Sequence, residues 1–290
     1  EMTEPFFDAH VHFWDHAEPD LRWRFLEADF DHPRLKNTQS LDAPRFGPDE
    51  LRAEAGALAP DKVIHVQAAH TDDPVNETRF LDRLASATGW PNAIVGGARI
   101  REPGVAGVLE RHATSARVRG IRDLTVQTGV EPDDVAEAFD AAAHLGLSVE
   151  LMLPPEHHES IVALAERWPA VPIVLGHAGQ PALRTEEYVA GWARSLAAVA
   201  ARTEQVVLKV SAVASSADPQ WTVDSLRPVV LAAIEAFGPD RSMLASNWPI
   251  DRLYGTYPRL VDAYREIVGD LAPADRASVL AGTAARVYRL

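Results

Sequence analysis

Eight short β-rich runs alternate with longer segments that carry apolar residues at helical spacing, and this alternation constrains the fold of the 290-residue chain most strongly. The predicted strands are Pro5 to His10, Lys62 to Gln67, Ala93 to Ala98, Val118 to Arg122, Leu147 to Leu151, Val171 to Leu175, Gln205 to Val210 and Ser242 to Ser246. The predicted helices include Asn76 to Thr88, Asp133 to Leu145, Glu156 to Trp168, Glu186 to Thr203 and Asp224 to Phe237. Pro132 stands where a first helical turn would begin, and Gly146 follows Leu145 as a helix stop.

Parallel strands joined by helices must be covered on the outside, and eight of them close into a barrel. The pattern therefore predicts an α/β fold, a closed (β/α)8 TIM-type barrel, as a single domain over residues 1–290. An open doubly wound sheet is the alternative fold. The chain lacks a glycine-rich phosphate loop after the first predicted strand, which disfavours that alternative.

Composition narrows the class of partner. A formal net charge of −14 and an isoelectric point near 5.2 argue against nucleic acid or an anionic membrane as the main partner. The chain has no cysteine, so any metal must bind to His, Asp, Glu, Asn or water. No basic and apolar leader and no run of membrane-spanning length is visible, so we expect a cytoplasmic protein that acts on a small molecule. The sequence leaves open whether the chain forms a homo-oligomer.

About fifty residues, Phe13 to Asp61, separate the first two predicted strands, and they are rich in Asp, Arg, Pro and aromatic side chains. A long loop at this point would lie at the C-terminal mouth of the barrel. Two interpretations stay open: the segment forms a lid over a site, or it packs on the barrel surface.

Polar residues follow the ends of the predicted strands, where barrel enzymes place their catalytic groups. In the stretch FDAHVHFWD, His10 and His12 lie on one face of the first strand, so two imidazoles can bind one metal ion or substrate. A hydrogen-bonded pair without catalytic function is the alternative. The remaining strand ends contribute His65, Gln67, His70, Arg122, Asp123, Glu150, His157, His158, His177, Lys209, Ser211, Asn247, Trp248 and Asp251.

The motifs FDAHVHFWD, RGIRDL, LGHAGQP, LKVSAV and FGPDRSMLASNWPID resemble the amidohydrolase superfamily, in particular its amidohydrolase-2 branch. That branch includes sugar-acid lactonases and 2-pyrone-4,6-dicarboxylate lactonase. The resemblance covers essentially the whole chain and implies a barrel that hydrolyses C–O or C–N bonds or decarboxylates, with one divalent metal ion in some members and none in others. By position, His10 and His12 match the metal or substrate histidines of the first strand, and His177 matches the histidine after the sixth.

Asn247 departs from the family pattern, which has an aspartate here that accepts a proton from the attacking water. A carboxamide cannot accept that proton at neutral pH. Asp251, His177 or a metal-bound hydroxide would then act as the base. The fifth strand also lacks the histidine of strongly metal-dependent relatives, so the resemblance implies an incomplete ligand set for a zinc-like ion held by His10, His12 and His177.

Five residues are predicted to bind the substrate. Arg122 could hold a carboxylate or instead form a salt bridge with Asp123. Lys209 could polarise an acyl oxygen or instead form an ion pair with Glu150. The other three are Trp14, Gln67 and Trp248, of which the tryptophans could equally serve packing.

These observations predict a hydrolase that opens a lactone or related ester of a small, sugar-acid-like molecule. His10 and His12 would activate water or hold the carbonyl, His177 would transfer a proton, and Asn247 and Asp251 complete the catalytic group. Two alternatives stay open: a metal-dependent decarboxylase or C–C lyase on the same barrel, and a catalytically silent ligand-binding barrel.

Overall fold

The structure is a computed structural model that describes residues 4–32, 35, 37–41 and 43–290. Eight parallel strands form one sheet in chain order, and this confirms the predicted barrel. In the full chain order the strands are β1 Phe7–Val11, β2 Trp14–Asp15, β3 Arg45–Phe46, β4 Lys62–Val66, β5 Ala93–Gly97, β6 Val118–Arg122, β7 Ser148–Leu151, β8 Ile173–Leu175, β9 Val206–Val210 and β10 Ser242–Leu244. The short strands β2 and β3 pair with each other outside the barrel.

The residues after β10 close the barrel against β1. The Asn247 backbone N–H donates to the His10 carbonyl at 2.9 Å, and the His12 N–H donates to the Trp248 carbonyl at 2.8 Å. The Ser246 N–H donates to the Asp8 carboxylate at 2.9 Å. Closure therefore brings the first and last motifs of the sequence side by side.

Helices follow the barrel strands and cover them on the outside. They are α1 Pro48–Ala55, α2 Val75–Thr88, α3 Val105–His112, α4 Ala136–Leu145, α5 His158–Arg167, α6 Glu186–Arg202, α7 Val213–Ala217, α8 Val223–Phe237, α9 Tyr257–Ile267, α10 Pro273–Ala277 and α11 Thr283–Tyr288. The five predicted helices match α2, α4, α5, α6 and α8 within three residues at each end. The largest differences come from 3-10 turns at Pro132–Val135 and Pro155–His157, which precede α4 and α5.

The segment between β1 and β4 contains local structure that the sequence did not predict. Helix α1 and the β2–β3 pair lie in it, and residues 33, 34, 36 and 42 lie outside the described part of the chain. Three side chains form what we call the aromatic wall: Trp14 packs on Phe46 at 4.8 Å between ring centroids, and Phe46 packs on Trp248 at 5.4 Å. This wall joins the segment to the end of β10.

No helix among the described residues is both long and apolar enough to cross a membrane.

Candidate active site

A cavity of about 470 Å³ opens at the end of the barrel where the strands terminate. We call it the main cavity. Four predicted site residues line it: His12, Arg122, His177 and Asn247. The rest of the lining comprises Arg24, Phe25, Phe30, His32, Leu35, Ala68, His70, Leu124, Gln127, Met152, Pro154, Gln180, Ala212 and Ile250. Residues from the start, middle and end of the chain thus meet in one concave site of the size that small-molecule ligands occupy.

His10 and His12 form a buried pair at the end of β1. Their Nε2 atoms lie 3.2 Å apart, and His12 Nδ1 lies 2.7 Å from the Val66 carbonyl oxygen. A carbonyl accepts only, so His12 Nδ1 carries the proton and a neutral His12 presents the lone pair of Nε2. His10 then donates through its own Nε2, and its Nδ1, which has no hydrogen-bond partner, lies 3.6 Å from Glu150 Oε1.

Burial keeps both rings neutral. It lowers the pKa of His10 and of His12 well below the ordinary value, and neighbouring positive groups act in the same direction. For His10 these groups are His177 and Lys209, and for His12 they are led by Arg122. A neutral imidazole pair can orient a substrate or accept a proton, but it does not supply a permanent positive charge.

His177 follows β8 and faces the same cavity. Its ring lies 4.7 Å from the His10 ring, and its Nδ1 lies 2.9 Å from the Ser211 hydroxyl oxygen. The backbone at His177 has φ of 50°, and Ala178 and Asn247 also have positive φ. Such left-handed conformations cost about 1–2 kcal/mol for residues other than glycine, and strained residues of this kind cluster at functional sites.

Asn247 follows β10 and contacts the second candidate base. Its amide Nδ2 donates to Asp251 Oδ1 at 2.9 Å, so the amide nitrogen faces Asp251. Asp251 is buried and is not among the residues that line the main cavity. The prediction that Asp251 replaces the family aspartate as a base stays a prediction, and in the structure its Oδ1 accepts a hydrogen bond from the Asn247 amide.

Arg122 is the last residue of β6, and only 3% of its surface is exposed. Its guanidinium donates to the Gln67 carbonyl and lies 3.6 Å from the Met152 sulfur. Burial lowers its pKa to about 10, so the group stays charged at neutral pH. Asp123 instead accepts from the backbone N–H groups of Ile100 and Thr125, so the salt bridge considered from sequence is absent between these described residues.

Lys209 is fully buried and lines neither cavity, and its predicted contact with substrate stays a prediction. Its Nζ donates to both Glu150 oxygens, at 2.9 and 2.8 Å, and both side chains are fully buried. The alternative considered from sequence, an interior ion pair, is what the structure shows. The pair supports His10, because the Glu150 carboxylate lies between Lys209 and the His10 ring.

Neither predicted tryptophan is among the residues that line the main cavity, and their contact with substrate stays a prediction. Trp14 and Trp248 belong to the aromatic wall, and the Trp248 indole N–H donates to Glu54 at 3.0 Å. Both side chains are buried, so packing explains them. Gln67, in contrast, lines a neighbouring cavity that shares Arg122 with the main one.

Several lining residues were missed from the sequence. Phe25, Phe30 and Leu35 come from the long segment after β1, where the excess of aromatic residues was the available signal. Of the strand-end histidines named from the sequence, His70 lines both cavities. His65 is fully buried, with its ring 6.0 Å from that of His12, and burial lowers its pKa to about 3.

The donor set fits a metal ion only in part. The two Nε2 atoms, 3.2 Å apart, could both bind one ion if the His10 proton moved to Nδ1, which lies 3.6 Å from Glu150. The Val66 carbonyl fixes the His12 tautomer as in metal sites. A third His, Asp or Glu donor in a suitable arrangement is not found in the described part of the chain. The residues therefore do not form a closed protein site for zinc, which normally takes three or four protein ligands. The predicted zinc ion stays a prediction.

Comparison with known proteins identifies the family of the chain. The sequence matches the amidohydrolase family over residues 7–290. An L-fucono-1,5-lactonase from Burkholderia multivorans is 30% identical over 98% of this chain and 95% of its own length. The structure of an amidohydrolase from Burkholderia multivorans with bound Zn covers 99% of both chains at 29% identity, with a TM-score of 0.81. A 5-carboxyvanillate decarboxylase from Sphingomonas paucimobilis shares the fold at 18% identity and a TM-score of 0.64.

Proposed function

Because the chain belongs to the amidohydrolase family, we propose that it is a lactonase that opens 1,5-lactones of sugar acids. The observation that carries this proposal is the convergence of His12, Arg122, His177 and Asn247 on the main cavity. The name of the Burkholderia multivorans lactonase supports the choice of a sugar-acid lactone over other esters.

His177 is the proposed general base. In the neutral tautomer that donates from Nδ1 to the Ser211 hydroxyl, the lone pair lies on Nε2. In this proposal Nε2 takes a proton from water as that water attacks the acyl carbon. The same proton then passes to the ring oxygen when the acyl C–O bond breaks, and the product is the hydroxy acid. Ser211 acts as a positioning residue, since it selects the tautomer of His177.

Arg122 supplies the positive charge that the transition state needs. The carbonyl oxygen becomes an oxyanion when water adds, and a buried guanidinium stabilises that charge in a low-dielectric site. The neutral pair of His10 and His12 orients the lactone, while Asn247 accepts a hydrogen bond from the attacking water through its amide oxygen. A bound divalent ion, if the relatives' zinc is shared, would polarise the same carbonyl.

The test is hydrolysis of purified protein against a panel of sugar 1,5-lactones, including L-fucono-1,5-lactone and D-glucono-1,5-lactone, with spontaneous hydrolysis subtracted. We expect His177→Ala to lower kcat by about 10²–10⁴-fold, the range of general acid–base contributions. His144→Ala is the matched control, because that histidine is exposed on α4. If His177→Ala hydrolyses the lactones as fast as His144→Ala, the role of His177 is refuted.

Two further assays on the same purified protein distinguish the alternatives predicted from sequence. Carbon dioxide release from hydroxylated aromatic acids, without lactone hydrolysis, would support the decarboxylase. Lactone hydrolysis that appears only in Asn247→Asp would support the silent barrel.

A further inference from the structure

A second cavity, of about 360 Å³, lies beside the main one. The two share His70, Arg122 and Leu124, so they are neighbouring compartments of one mouth. The second cavity is lined mainly by polar residues: Asp20, Arg22, Gln67, Thr71, Asp72, Asn76, Glu77, Arg99, Arg122, Asp123 and Thr125, with Pro19, Ala69, His70, Pro74, Gly97, Ala98 and Leu124. Of this lining, the proposed hydrolysis uses only Arg122.

Two buried polar atoms in this lining have no hydrogen-bond partner. Gln67 is 9% exposed, and its Oε1 is an unpartnered acceptor, while its Nε2 donates to the Ala69 carbonyl at 2.9 Å. Arg122 is 3% exposed, and its Nε is an unpartnered donor. Buried polar atoms are normally hydrogen-bonded, so this acceptor and this donor are expected to bind a ligand or water.

Gly97 makes the Gln67 conformation possible. A Cβ at position 97 would lie 2.8 Å from Gln67 Cγ, closer than real contacts allow. The glycine on β5 therefore leaves space for the Gln67 side chain to lie across that strand and reach the second cavity.

The acidic groups on the floor of the cavity are already satisfied by the protein. Glu77 Oε1 accepts from the backbone N–H groups of Ala68 and Ala69, at 3.0 and 2.9 Å. Asp123 accepts from Ile100 and Thr125. The lining also carries Asp20 and Asp72 and three arginines, Arg22, Arg99 and Arg122, so its acidic and basic groups oppose each other and do not select an anion.

A hydroxyl group suits either of these atoms, because a hydroxyl can donate to Gln67 Oε1 and can accept from Arg122 Nε. We propose that the second cavity binds a hydroxyl group of the lactone, and that Gln67 determines specificity for lactones that carry hydroxyl groups. This inference rests on the proposed function. It adds a separate subsite and assigns Gln67 to it.

The test compares two substrates and two glutamine variants. D-Glucono-1,5-lactone carries ring and exocyclic hydroxyl groups, whereas δ-valerolactone is the unsubstituted ring. Gln67→Met removes the amide at similar volume, and Gln205→Met is the control, because Gln205 also donates to a backbone carbonyl but lies outside both cavities. We expect the ratio of kcat/KM for gluconolactone to kcat/KM for valerolactone to fall at least about tenfold in Gln67→Met, as for loss of one buried hydrogen bond.

An unchanged ratio in folded Gln67→Met would overturn the inference. If this buried variant does not fold, Thr125→Trp narrows the second cavity from its exposed rim and should lower the same ratio. Retention of the wild-type ratio there would count equally against the subsite.

A binding measurement separates failure of this inference from failure of the proposed function. If no lactone is hydrolysed, calorimetric titration with D-gluconate and with 5-hydroxypentanoate tests the subsite alone. Selective binding of gluconate, weakened at least about tenfold in Gln67→Met, would support the subsite without lactonase activity. Equal binding of both acids, or of neither, would reject it.

Discussion

The surroundings of His10 depend on the charge of Lys209, although Glu150 lies between the two side chains. Glu150 lies 3.6 Å from His10 Nδ1 and accepts both hydrogen bonds from Lys209. The sequence allowed two interpretations of Lys209, as a substrate contact or as an ion-pair partner. Position on a barrel strand fixes the direction of a side chain but does not identify its neighbour. Only the three-dimensional structure separates them.

Removal of Lys209 is predicted to destabilise the fold more than removal of a surface cation. Lys209→Met leaves the Glu150 carboxylate buried without a counterion, which costs about 3–5 kcal/mol of unfolding free energy. Arg202→Met, which breaks an exposed pair with Glu159, should cost less than about 1 kcal/mol. Urea unfolding measures both values. The double variant Lys209→Met with Glu150→Leu should recover most of the lost stability. If Lys209→Met and Arg202→Met were equally stable, that result would contradict the buried pair.

Metal removal tests the donor set of the His10 and His12 pair. Only two imidazole nitrogens are suitably placed in the described part of the chain, so dialysis against a strong chelator should leave lactone hydrolysis within about twofold. Elemental analysis before and after dialysis measures the metal content. Loss of activity that zinc restores would show that a third ligand completes the site in solution.

At the scale of elements, α1 anchors the long segment after β1 to the last barrel loop through Glu54. One Glu54 oxygen accepts from the Tyr257 backbone N–H at 3.0 Å, and the other accepts from the Trp248 indole at 3.0 Å and from Arg252 Nε at 2.8 Å. The sequence predicted the helices that directly cover strands, since their apolar stripes repeat at helical spacing. It missed α1, in which four of the eight residues are charged.

Glu54→Ala is predicted to loosen the segment that lines the main cavity. Two backbone or indole donors lose their acceptor, which costs about 1–3 kcal/mol of unfolding free energy. Because Phe25 and Phe30 lie in this segment, KM for the lactone should rise more than kcat falls. Asp49→Ala, on an exposed position of α1, is the control. A variant with unchanged thermal midpoint and unchanged KM would show that Glu54 does not anchor the segment.

At the scale of the molecule, the regular alternation of strands and helices was enough to predict the barrel. Because barrel enzymes place their catalytic groups at the C-terminal ends of the strands, the barrel in turn predicted that the residues after the strands meet in one mouth. The partners of individual polar groups, such as Asn247 with Asp251, depend on packing details that a sequence pattern does not encode. The contribution of the long segment to the cavity was visible only as an excess of aromatic residues.

The buried histidines make the stability of the whole molecule sensitive to acid. Burial lowers the pKa of His65 to about 3 and of His158 to about 4, whereas these rings take a proton near pH 6.5 when unfolded. The unfolded state then binds more protons, so stability is lost as the pH falls below about 6.5. Asp8 and Glu77 act in the opposite direction, since burial raises their pKa to about 6 and about 7.

Histidines with lowered pKa outnumber these two carboxyl groups, since His10, His12, His70 and His112 belong to the same class. The free energy of unfolding in urea should therefore fall between about pH 7 and about pH 4.5. His158→Gln should reduce that slope, while the exposed control His144→Gln should not. A stability that rises towards pH 4.5 would show that the carboxyl groups dominate.

The central claim is that residues from distant parts of the chain form one lactone site. A crystal structure of His177→Ala soaked with D-glucono-1,5-lactone tests it most directly. The predicted result places the acyl carbon in the main cavity, with the carbonyl oxygen towards Arg122 and a hydroxyl group of the lactone towards Gln67. A lactone bound elsewhere, or bound in the mouth without contact to His12, Arg122 or Asn247, would contradict the claim.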